Sequence, residues 1–129
     1  MEAPQPPFAG VEGLWNADPV SAATLLFRHV FAPVAAEPYP VRRTELLADD
    51  LGALCGVRLG MIRTQSGEPG ATLTRLVLEY VLLWERAGIA ARAVAGADVT
   101  IQQIVMLRMG LVVLRSADPE ASVRGLLAR

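Results

Sequence analysis

The sequence predicts an all-α fold: a compact four- to five-helix bundle with a Pro-rich N-terminal arm, paired as an intertwined homodimer. The first sign is compositional. Of 129 residues, 53% are hydrophobic but only 5% aromatic, so the apolar mass is alanine, valine and leucine. Alanine, leucine and arginine lead the helix formers because they lose little side-chain freedom on winding. The second sign is a repeated start signal. Asp18-Pro19 and Asp118-Pro119 each set a capping carboxylate before a proline whose fixed φ suits the first helical turn. The third is the run 100–116, apolar on almost every side when wound as a helix, which demands cover on every side.

Residues 1–16 are Pro- and Gly-rich, with Phe8, Val11, Leu14 and Trp15 as separate apolar anchors. They form an arm without its own core that gains order by docking. Residues 17–129 form a single helical domain. A helix over 19–31 carries Val20, Ala23, Phe27, Val30 and Phe31 at helical spacing and stops at Pro33. Glu37-Pro38-Tyr39-Pro40-Val41 is extended and polyproline-like. Thr44 then caps a second helix that buries Leu47, Leu51, Leu54 and Cys55, turns Asp49 and Asp50 to solvent, and closes at Gly56.

Residues 57–64 fit a short strand or a further helical turn, and 65–70 form a loop. The third helix, 71–87, sets Leu73, Leu76, Val77, Tyr80, Val81, Leu83 and Trp84 on one arc, with Arg75, Glu79 and Arg86 opposite. Gly88 ends it, and 89–95 fit either helix or strand. Thr100 and Gln103 have capping-box spacing for a fourth helix, 100–116. Asp118-Pro119 opens a last short helix carrying Val123, Leu126 and Leu127.

All 12 basic side chains are arginine, beside one histidine and one cysteine. That inventory excludes a Schiff-base lysine, a P-loop lysine, a cysteine-pair zinc site and an internal disulfide. Arginine in place of lysine throughout is the coding bias of a GC-rich bacterial genome. A net charge of −1 and a pI of about 5.8 give no global basic field for nucleic acid or anionic lipid. Residues 1–7 lack the basic and apolar regions of an export signal, and the apolar run around Arg108 is too short to span a membrane. With a lone cysteine, these features predict a cytoplasmic protein with no membrane span.

His29 is the one side chain whose ordinary titration falls near neutrality, so acid–base chemistry points to it first, with Glu79 or Arg75 orienting a substrate. Cys55 lies near a helix C-terminus, which disfavours a thiolate, and is expected as a small core residue. Arg108 and Arg115 fall within the apolar arc of the predicted fourth helix and suit the seam of a homodimer. Arg42-Arg43 can clamp a phosphate or carboxylate. No metal-ligand spacing and no nucleotide-binding glycine motif is present, so neither metal nor cofactor is expected.

Thr44-Glu45-Leu46-Leu47-Ala48-Asp49-Asp50-Leu51-Gly52 resembles the first helix of bacterial winged-helix regulators. Thr72-Leu73-Thr74-Arg75-Leu76-Val77, followed by Glu85-Arg86-Ala87-Gly88-Ile89, resembles their recognition helix and the turn into the wing. That resemblance implies a DNA-binding regulator. The residues themselves lead first to another expectation. They predict a small accessory protein whose dimeric bundle holds a peptide-like or hydrophobic acidic ligand in an apolar groove, with Tyr80 and Trp84 in the groove and Arg42, Arg43, Arg108 and Arg115 at its edge. The alternative is a small cofactor-free enzyme, a cyclase, isomerase or peptide-tailoring protein, acting through His29.

Overall fold

Both Asp-Pro pairs start helices. In the computed structural model, which describes residues 5–37, 40–57, 68–94 and 102–129, the Asp18 carboxylate accepts the Ser21 N–H at 3.1 Å. It opens a helix, α2 (Pro19–Phe31). Asp118 does the same for the Ala121 N–H at 3.1 Å, opening α6 (Pro119–Leu127). Ahead of α2 the arm forms a short helix, α1 (Gly10–Trp15). It is pinned to the body where the Phe8 and Gly10 N–H groups donate to the carbonyls of Leu54 and Cys55, and Leu14 is fully buried.

Between α2 and α6 the chain runs through β1 (Val41–Arg43), α3 (Leu47–Leu54), α4 (Glu68–Ala87), β2 (Ala90–Val94), β3 (Gln102–Met106) and α5 (Arg108–Leu114). The three strands form one antiparallel sheet in the order β1–β3–β2. Val41 stands opposite Val105 and Ala90 opposite Met106. The protein is therefore mixed α/β, and the all-α expectation is wrong.

The error lies chiefly at 100–116. That run is not one helix: 102–106 is the central strand and 108–114 a short helix. Ile104 and Met106 are buried while Gln103 and Val105 are half-buried, the alternation of a strand with one face on the core. The apparent all-round apolarity came from winding a strand and a helix onto one wheel. With it goes the reason for an intertwined dimer, because the sheet and the body cover Ile104 and Met106. Gln103 pairs with Arg43 and Ala93 across the sheet instead of closing a capping box. Its expected partner Thr100, like 58–67, lies outside the described residues.

Within the ambiguous 89–95, Ala90–Val94 is strand because α4 is stopped firmly, and residue 95 lies outside the described residues. Gly88 takes φ +75°, its N–H donates to the Glu85 carbonyl, and Ile89 N–H donates to the Trp84 carbonyl, closing a Schellman motif. Chain reversal then hands the alanines to β3, where tertiary pairing outweighs their helix propensity. Glu85 fixes this hairpin to α4: its carboxylate accepts the Arg92 backbone N–H at 3.2 Å and the Arg92 guanidinium at 3.0 Å. α4 starts at Glu68, three residues earlier than its expected start at Ala71. Thr44 begins a 3₁₀ turn, Thr44–Leu46, and does not cap α3 directly.

The core gathers α2, α3, α4 and α6 over the inward face of the sheet. Phe27, Phe31 and Trp84 pack with ring centroids 5.1 to 6.2 Å apart, and the buried Trp84 indole donates to the Ala23 carbonyl at 3.0 Å. Among the described residues no helix is long and apolar enough to cross a membrane. α5 comes so close to the turn after α4 that a Cβ on Gly110 would lie 2.5 Å from the Ile89 carbonyl oxygen and 3.1 Å from the Phe27 ring. Gly110→Ala is expected to destabilise the fold by about 1–3 kcal/mol, read as a lower urea midpoint. Gly125→Ala, with open space around it, is expected to be neutral or slightly stabilising.

Candidate functional site

α4 is amphipathic in an unusual way. Leu73, Leu76, Val77, Tyr80, Val81 and Trp84 are buried, as the spacing predicts. The outward side, however, carries Leu78 and Leu82, 49% and 48% exposed, beside Arg75 and Glu79. Two leucines one turn apart on the charged side of the helix were the legible signal of a contact surface.

Below Leu78 lies a groove of about 640 Å³. Its floor is Ala48 of α3 with Val77 and Val81 of α4, and Thr44 and Glu45 form the far wall. Arg75 and Arg92 stand at its rim. A second depression of about 490 Å³ opens on the other flank, where Val11, Glu12 and Trp15 of α1 face Ala71, Thr72 and Arg75. Trp15 is 53% exposed there. Ala71 and Arg75 line both hollows.

The cations around the site differ in how far they are committed. Arg42 forms a two-point pair with Asp50, Nε to Oδ2 at 2.9 Å and Nη2 to Oδ1 at 2.7 Å. The hydrogen bond to Asp50 is the main reason that the Arg42 pKa is raised further, against a smaller opposing effect of burial. This pair ties β1 to α3 and corrects the placing of Asp50 in solvent, since Asp50 is buried. Arg43 pairs with Glu45 at 2.6 Å, and Arg92 with Glu85. Arg86 donates to the Leu127 carbonyl at 2.8 Å. Arg75 is exposed and makes no hydrogen bond or ion pair with the described residues.

The other residues singled out by sequence are dispersed. Tyr80 and Trp84 are 1% and 0% exposed and belong to the core beneath the groove. Burial is the first cause that pushes the Tyr80 hydroxyl up to about 12, with the Glu79 charge adding to it. Arg108 and Arg115 lie on α5 and just after it, and Arg115 donates to the Ala35 carbonyl at 3.3 Å. His29 is exposed on α2 and lines neither hollow. Cys55 is buried, and that burial raises its thiol pKa. Among the described residues no three His, Cys, Asp or Glu side chains cluster as metal ligands. No family model, curated protein or solved structure matches the chain.

Two predictions follow from these charges. Arg42→Ala strands the Asp50 carboxylate in a buried place, whereas Asp50→Ala leaves a guanidinium that can swing into water. The first is expected to cost about 1–3 kcal/mol and the second less, measured by urea unfolding at neutral pH. Tyr80 ionises at about 12 in the folded chain against 10.0 ordinarily, so between those values the unfolded state gives up its proton first. Stability is therefore full below pH 10 and declines as pH rises towards 12. Tyr80→Phe is expected to flatten that part of the decline in the denaturation midpoint.

Proposed function

We propose that this chain is a non-catalytic binding module that holds an apolar, peptide-like segment of a partner protein in the groove beside α4. The reading rests on Leu78, half exposed at the lip of an apolar hollow, with Leu82 half exposed one turn further along α4. Large apolar side chains around a concave surface, with arginine at the edge, favour protein contacts. The order α2, β1, α3, α4 and the β2–β3 hairpin, with the sheet running β1–β3–β2, resembles a winged helix in which α4 takes the recognition position.

Topology thus supports a second reading, a DNA-binding regulator, but the chemistry of α4 supports it poorly. Nucleic acid affinity is dominated by cations on phosphates. The outward side of α4 offers Arg75 and Arg86 against Glu79 and two leucines, and Arg86 is already engaged with Leu127. The enzyme reading through His29 gains nothing from the geometry, because His29 stands apart from both hollows.

The module also pairs with a second copy through α5, in our reading. Met109 and Val112 are 47% and 61% exposed there, next to Leu107 at 37%, and a two-fold contact would set these like patches face to face. Its setting is the cytoplasm, where the lone buried Cys55 needs no oxidising partner.

Panning a random peptide library displayed on phage against the intact protein tests the groove. Binders are expected, and Leu78→Asp is expected to weaken them about tenfold or more. Val112→Asp should spare them while shifting sedimentation from dimer to monomer. An empty selection, together with steeply salt-dependent binding of a labelled duplex DNA, would replace this reading with the regulator.

A further inference from the structure

Resting on the groove reading above, we infer that the occupant crosses α4 rather than lying along one flank, and that it carries a carboxylate between two bulky apolar side chains. The two hollows are not separate sites. They meet over Ala71, whose small side chain keeps the saddle between them low, and Arg75 rises from that saddle. On one side the apolar contact is Leu78 over Val81, and on the other it is Trp15. Tryptophan and arginine are the residue types that concentrate binding energy in protein interfaces, and the partly exposed Leu78 adds apolar area beside them.

Charge decides which segment fits. Arg75 is the rim cation without a partner among the described residues, since Arg92 is paired with Glu85. Carboxylates stand at both outer ends of the double hollow, Glu12 beside Trp15 and Glu45 beyond Ala48. An acidic group on the occupant is therefore attracted at Arg75 and repelled at the Glu12 end, whereas the Glu45 charge is already met by Arg43, which fixes direction as well as sign. Spacing follows from the helix: Arg75 and Leu78 are separated by about 4.5 Å along the α4 axis. The carboxylate and its apolar neighbour on that side must then lie within about one helical turn, or two extended residues, of each other. The occupant is a partner's peptide segment of the pattern apolar, acidic, apolar, with basic residues tolerated outside it.

The same phage library tests this, panned in parallel on the wild type, Arg75→Glu and Trp15→Ala. These side chains are exposed, so the variants are expected to fold, which circular dichroism checks. Wild-type binders are expected to show Asp or Glu flanked by large apolar residues, with affinity about tenfold weaker for Arg75→Glu. On Arg75→Glu itself, the enriched central residue should switch to Lys or Arg. On Trp15→Ala, one of the two apolar positions should lose its preference. Binders that carry no central acid, or the same motif enriched on Arg75→Glu, would overturn the crossing pattern while leaving the groove reading intact. A selection that enriches nothing overturns both. A wild-type dimer that Leu78→Asp converts to monomer would assign this surface to a second copy and likewise overturn it.

Discussion

The Trp84 indole N–H reaches across the core to the Ala23 carbonyl at 3.0 Å, and most of the molecule is arranged around that contact. It fixes the roll of α4 against α2, because the indole also packs T-shaped against both Phe27 and Phe31, which touch each other. A buried aromatic with its polar atom satisfied supplies large apolar area without an unpaired donor. Once α4 is held at that angle, the rest of its surface is assigned: Tyr80 goes under α3, Val77 and Val81 become a groove floor, and Leu78 and Leu82 face out. The same residue closes the helix, since its own carbonyl accepts from Ile89 where the chain turns into the hairpin. One side chain and its backbone thus set both the orientation of α4 and the start of β2.

The parts of this fold that could be read from sequence are those encoded by local stereochemistry. Asp18-Pro19 and Asp118-Pro119 fix two helix starts within the first turn, and Gly56 and Gly88 take the positive φ that ends α3 and α4. The central strand was illegible because Ile104, Val105 and Met106 pass into Leu107, Met109, Leu111 and Val113 with only Arg108 and Gly110 between them. Only pairing with β1 and β2, contacts distant in sequence, separates strand from helix there. Alanines 90, 91 and 93 left 89–95 open between helix and strand for the same reason, since their intrinsic preference loses to the hairpin.

Arg75 was expected to orient a substrate for His29 and instead lines both hollows, while the arginines expected at a groove edge, Arg42, Arg43, Arg108 and Arg115, line neither. An apolar groove was expected. Its lining was misplaced because aromatic residues were assumed to line it, whereas Tyr80 and Trp84 are spent on the core. The arginine pair at 42 and 43 illustrates a general ambiguity. A guanidinium in sequence looks the same whether it is destined for a ligand or for an internal carboxylate such as Asp50. Only the burial of Asp50 distinguishes them.

Glu85 has a consequence for the life of the chain outside its folded, isolated state. A short sheet has two open margins, and an outward-pointing N–H on such a margin is a template for the backbone of another molecule. On the β2 margin the Arg92 N–H is already occupied by the Glu85 carboxylate, which the Arg92 guanidinium holds in place. The alanine-rich hairpin, with little side-chain bulk to keep neighbours away, thereby offers one fewer free N–H to strand-on-strand growth. The carboxylate that anchors the hairpin to its helix also works as a stopper against aggregation.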